Sequence, residues 1–267
     1  MRPAWLLWLA ATPALLGTPA LAASGDTRRF ELCAGLAEGN PGRAIAVAQA
    51  WRIEGGGILA RHCLAIAQFQ AGDYTNALES FAAAARDAAR APDTRADAAR
   101  LWLAGANAGL MAGRPAAVAV MVDEALALPP ADGLAAELML LKAEALVDLG
   151  RESDALPVIE AALGRDAGVP NGWLLKATLA RRLGRLAEAE AAVLEAARRT
   201  GTETPEMAEV QFEAGAIAQA QGKPELARAA WAAAANGDPQ QPAVKAAAAA
   251  LARLAESGLA ESGRPQP

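Results

Sequence analysis

The sequence predicts an all-α protein, a solenoid of about six helix pairs closed by a C-terminal capping helix. Three observations carry this. A glycine recurs at Gly39, Gly72, Gly113, Gly150, Gly184 and Gly222, at intervals of 33, 41, 37, 34 and 38 residues, and a period in this range marks stacked supersecondary units. Each glycine is followed by a small or apolar residue five positions on, often a larger one at nine, and another at twelve. Hydrophobic residues make up 54% of the chain but aromatic ones only 4%. Alanine, leucine, arginine and glutamate favour helices, and no stretch sustains the period-two alternation of a strand. An alanine-rich bundle whose glycines recur by chance is the alternative, and it leaves the joint recurrence unexplained.

The segment Ala71–Ala84, AGDYTNALESFAAA, is the clearest copy, with Ala77, Phe81 and Ala84 at the three marked positions. The equivalent trios are Ala44/Ala48/Trp51, Val118/Val122/Ala125, Ala155/Ile159/Ala162, Ala189/Val193/Ala196 and Ala227/Trp231/Ala234. Seven before the glycine stand Ala65, Ala106, Ala143, Ala177 and Gly215, with Leu32 the exception. Trp102 and Trp173 lie eleven before Gly113 and Gly184, and Pro130 and Pro239 lie seventeen after Gly113 and Gly222. This pattern resembles the tetratricopeptide repeat from about Thr27 to Pro239. Repeats two, three, five and six carry it most specifically, and repeat one is degenerate at Arg28, Leu32 and Ala48. The resemblance implies antiparallel helix pairs stacked in a right-handed α-solenoid, with small residues where helices cross closely.

Residues 1–22 read as a signal peptide: Arg2, an apolar stretch from Ala4 to Leu16, a break at Gly17–Pro19, and Ala20-Leu21-Ala22 as a small-x-small cleavage site. A membrane anchor is the alternative, but Pro13 and Pro19 interrupt the run that a span of about 20 apolar residues requires. The predicted location is therefore exported, in the periplasm. Residues 23–256 form the predicted solenoid. Within it Arg52–Gly57 links repeats one and two, and its triple glycine lacks the Lys-Ser/Thr of a phosphate loop. Arg86–Asp97 holds the extra length behind the 41-residue interval, as an extended helix, a turn and a new start. Pro157 and Pro224 are placed near the starts of second helices, where a missing amide is tolerated. Residues 242–256 read as the capping helix and 257–267 as a disordered tail.

The resemblance also assigns faces. First helices line the concave side, and residues ten, six and three before each glycine point into it. The candidate partner-binding groove is His62, Ile66, Phe69, Leu103, Asn107, Leu110, Leu140, Glu144, Leu174, Arg181 and Phe212; the other register positions on this face are Arg29, Cys33, Leu36, Val147, Thr178, Ala216 and Gln219. Family members that clamp a terminal carboxylate carry a lysine where this chain has Leu103, so that clamp is not expected. An apolar helix or extended peptide suits the stripe better, unless curvature or the capping helix buries it. Cys33 and Cys63 fall in consecutive first helices, which the family geometry places side by side. In an exported chain a disulfide is expected, closing a loop worth about 3.5 kcal/mol in the chain-entropy model. Two buried free thiols are the alternative.

Catalysis and cofactors find no support. The single histidine, His62, excludes multi-histidine metal sites, and with the adjacent Cys63 it supplies too few ligands for structural zinc. Neighbouring helix residues diverge by about 100°, which disfavours a Cys63–His62 couple. Carboxylate pairs such as Glu152/Asp154 read as solvated surface. With 25 basic against 30 acidic residues, a net charge of −5 and no basic stripe, nucleic acid is not an expected partner, and stable membrane insertion is not expected once the signal is removed. The arginines of 181–185 and 198–199 are expected to favour helix C-termini. The sequence thus predicts a non-catalytic scaffold or adaptor of the bacterial envelope that binds an unidentified protein or peptide. An accessory subunit positioning an envelope enzyme is the other reading.

Overall fold

The computed structural model describes residues 19–128, 132–202 and 204–262. Residues 1–18 of the expected signal peptide lie outside them, as does the end of the expected tail. Among the described residues there are thirteen α-helices and no strand. The chain divides into two compact units, residues 1–77 and 78–267.

The first unit holds α1 (Pro19–Gly39), α2 (Pro41–Ile53), α3 (Gly57–Gln70) and the opening turn of α4 (Tyr74–Arg90). The three complete helices all pack against one another. Cys33, Ala48, Cys63 and Leu64 form one buried cluster, and Ala37, Ala44 and Ala67 a second. Cys33 on α1 and Cys63 on α3 are bonded as a disulfide, with Cα atoms 6.1 Å apart. Both half-cystines are buried, packed with Ala48, Leu64, Phe30, Ile45 and Val47, which keeps that tie away from solvent.

Five of the six repeat glycines end their helices alike. At Gly72 φ is +77°, its N–H donates to the Phe69 carbonyl at 3.0 Å, and the Asp73 N–H donates to the Gln68 carbonyl at 2.9 Å. The same paired bonds occur at Gly113, Gly150, Gly184 and Gly222, each at positive φ. This termination satisfies two orphan carbonyls and needs a residue without Cβ. Gly39 departs from the pattern. It is the last residue of α1 without positive φ, and Asn40 makes the turn, its side chain capping the Arg43 N–H at 3.1 Å. Repeat one is degenerate in geometry as well as in sequence.

The second unit continues α4 through a 3-10 turn (Pro92–Thr94) into α5 (Arg95–Met111) and α6 (Pro115–Ala127). There follow α7 (Asp132–Asp148), α8 (Glu152–Arg165), α9 (Pro170–Arg182), α10 (Leu186–Arg199), α11 (Pro205–Ala220), α12 (Pro224–Ala234) and α13 (Pro242–Ser262). Helices α5/α6, α7/α8, α9/α10 and α11/α12 pack as pairs, and each pair packs on the next. First helices also touch directly, α5 on α7, α9 on α11, and α11 on α13. The unit is an α-solenoid, its core running between the rows. Ala106, Ala143 and Ala177 are fully buried where the helices cross.

Three details differ from the sequence reading. Pro157 is inside α8, past its first turn, so it removes a helical hydrogen bond rather than sitting at a tolerated end. Helix α13 runs on to Ser262, beyond the expected end at 256, because Leu259 and Ala260 favour helix and no proline intervenes before Pro265. The arginines of the 181–199 region are held by carboxylates. Arg198 and Arg199 both pair with Glu195, and their hydrogen bonds hold its carboxyl below the usual range. Arg199 also caps the Ala167 carbonyl and lies 5.0 Å over the Trp173 ring.

Candidate functional site

The stripe that the repeat register marks on the first helices is partly sunk and partly open. In the first unit His62, Ile66 and Phe69 on α3 are half-buried. The Phe30 ring lies 4.8 Å from that of His62, and the Tyr74 ring 5.2 Å from that of Phe69. In the second unit Leu103 and Leu110 on α5 and Leu174 on α9 are half-buried, while Asn107 is exposed. The Asn107 amide donates to the Leu103 carbonyl at 3.1 Å, so one of its donors is occupied within α5.

Leu140 on α7 does not stand in the stripe as an open groove residue. It retains 8% of its surface and belongs to the core around Ile159 and Leu163. Gly172 on α9 packs against the same core, where a Cβ would fall 2.9 Å from Leu163 Cδ2 but at an ordinary 3.4 Å from Leu140 Cδ1. Four positions on, Glu144 keeps an exposed edge. Desolvation by the surrounding helices, and then the charge of Asp148, raise its carboxyl above the ordinary range.

Arg181 and Phe212 share a cleft. On α11 the register positions Phe212, Ala216 and Gln219 follow at spacings of four and three, one face of a helix. They line a cleft of about 480 Å3 together with Arg181 of α9, Trp231 of α12, and Ala250, Arg253 and Leu254 of α13. The capping helix therefore forms a wall of the cleft. The sequence reading missed its three residues because no turn glycine follows α13 to set their register, although their own spacing of three and one marks a helical face.

The Arg181 guanidinium is not free to act alone. Its Nε donates to Glu213 Oε1 at 2.6 Å and its Nη2 to Oε2 at 3.2 Å. Glu213 is 4% exposed, a rare buried acid. The pair ties α9 to α11 beneath the cleft. Behind the stripe, Lys176 spans α8 and α10 through Glu160 at 3.0 Å and Glu188 at 3.2 Å. Burial opposes its charge, but the two carboxylates outweigh this and raise its pKa.

Among the described residues no group of three or more His, Cys, Asp and Glu could hold a metal. No helix among them is long and apolar enough to cross a membrane.

No protein-family model matches the sequence, and no curated protein is similar to it. Solved structures share its fold. PilW, a widely conserved type IV pilus biogenesis factor, is 20% identical, with 83% of this chain and 97% of PilW covered and a TM-score of 0.64. PilF of Pseudomonas aeruginosa is 15% identical over 84% of this chain and 96% of its own, also at 0.64. YrrB, described as a TPR protein with an unusual peptide-binding site, is 16% identical over 76% and 95%, at 0.52. At these identities the likeness concerns fold, and it agrees with the pairing of helices and the glycine turns above.

Proposed function

We propose that this tetratricopeptide-repeat protein is a non-catalytic scaffold of the bacterial envelope that holds a partner protein or peptide on its concave face. The observation that carries the reading is the cleft where Arg181, Phe212, Ala216 and Gln219 converge, at the positions the repeat register assigns to that face. Half-buried Leu103, Leu110 and Leu174 continue the stripe with apolar surface that no side chain of the same face covers fully. Export by residues 1–22 is supported by their composition and by the Cys33–Cys63 disulfide, a bond that persists in oxidising compartments. A peptide-binding site in YrrB supports the mode of action by analogy of fold alone.

The test is photo-crosslinking from the stripe. A crosslinkable residue replaces Leu110 in the exported protein, and captured species are identified with and without Leu103→Glu. One recurrent partner lost with Leu103→Glu supports the reading, and self-crosslinks alone refute it. N-terminal sequencing of the fractionated protein checks export, with cleavage expected after Ala22. Recovery of an uncleaved cytoplasmic form with two free thiols refutes the location.

A further inference from the structure

We infer that the cleft between α11 and α13 takes an acidic side chain flanked by apolar residues, from an internal segment of the partner. This rests on the concave-face reading and names the chemistry of what binds there.

The lining divides into apolar walls and a cationic rim. Trp231 already donates its Nε1–H to the Phe212 carbonyl at 3.1 Å, so it offers the occupant only ring surface. Ala216 and Ala250 lack bulk, which leaves the cleft open between the half-buried Phe212 and Leu254. Its size falls within the range of about 300–1,000 Å3 typical of ligand sites. The charged groups of the lining are Arg181 and Arg253, and no carboxylate lines it. Arg181 is matched by Glu213. Arg253 is exposed, and no described residue pairs with it. The cleft is thus a local cationic point on a chain of net charge −5.

A carboxylate placed there forms a charge-assisted hydrogen bond to Arg253, strengthened by the apolar walls. The exposed Gln219 amide stands on the facing helix as a second donor. On α13 the arginine lies between Ala250 and Leu254, with Phe212 across the cleft. Apolar lining on both sides of the cation asks for apolar groups before and after the carboxylate. A chain terminus cannot supply both, so an internal glutamate or aspartate fits.

The test uses a phage-displayed library of random peptides held between fixed Gly-Ser flanks, panned on the full exported protein. Enrichment of an acid between leucine, isoleucine or phenylalanine is expected. The best such peptide, made with blocked ends, should bind Arg253→Glu at least about tenfold more weakly. Its Glu→Lys counterpart should recover binding to that variant, with circular dichroism showing the variant folded. Selected apolar peptides without an acid, indifferent to Arg253→Glu but lost with Leu103→Glu, would overturn this inference and leave the concave-face reading standing. A free C-terminal carboxylate outcompeting the blocked peptide would also overturn it. No enrichment of any kind would overturn both.

Discussion

Gly215→Ala tests how repeat six is packed. A Cβ at Gly215 would lie 2.4 Å from both Cδ1 and Nε1 of Trp231 and 2.9 Å from Cε2. Carbon atoms rest at about 3.5–4.0 Å, so the indole must retreat by about 1 Å or more. It has little room, being 7% exposed and packed among Ala227, Ala234, Ala247 and Ala250. Its Nε1–H is also fixed to the Phe212 carbonyl. Overpacking of this kind costs about 1–3 kcal/mol, and loss of the hydrogen bond adds about 1 kcal/mol. Against these stands a helix-propensity gain of about 1 kcal/mol for alanine over glycine in mid-helix. The net expectation is a destabilisation of about 1–3 kcal/mol, read by urea titration with circular dichroism and tryptophan fluorescence. A double-mutant cycle with Trp231→Ala should remove most of the penalty. A Gly215→Ala protein as stable as the parent, or an equal penalty when Trp231 is absent, would refute the argument.

Gly39 and Gly72 are equivalent in sequence and opposite in geometry. Gly72→Ala places a Cβ at φ +77° and should cost about 1–2 kcal/mol, whereas Gly39→Ala, with nothing within 4 Å of its Cβ, should be neutral or stabilising in thermal melts. Arg181→Ala strands the Glu213 carboxylate and should destabilise by about 3–5 kcal/mol in denaturant titration, while the double replacement Arg181→Met/Glu213→Leu should recover most of it. Glu144 has a raised folded-state pKa, so the folded protein binds its proton more readily than the unfolded chain does. Its contribution is most favourable below the ordinary carboxylate range and is lost as pH rises through the raised value. Glu144→Gln should therefore stabilise the protein at neutral pH and flatten that part of the stability–pH curve.

The number of helix pairs, most of their turns and the buried alanines were legible in the sequence because each depends on local chemistry repeated at intervals of 33 to 41 residues. A glycine that ends a helix at positive φ announces itself at five of the six register positions, Gly39 being the exception, and an alanine where two helices cross recurs in the same register. The Cys33–Cys63 bond was legible through the same register, since adjacent first helices bring those positions together. The stripe was legible only in outline. Whether Leu140 stands open or sinks depends on the core it joins with Ile159 and Leu163 of α8, which its own place in the register does not disclose. The partner of Arg181 lies 32 residues away on α11, and a charge on a helix face does not disclose which neighbour will bury beside it. Gly215 and Trp231 each look like ordinary variation, and only their contact reveals that the larger residue requires the smaller. The wall supplied by Arg253 and Leu254 lay beyond the last repeat glycine. Sequence by itself determined the repeating unit, because that is set by hydrogen bonds and side-chain size within one helix pair. Tertiary structure decided which side chains face one another between pairs, because that depends on atoms that no single repeat contains.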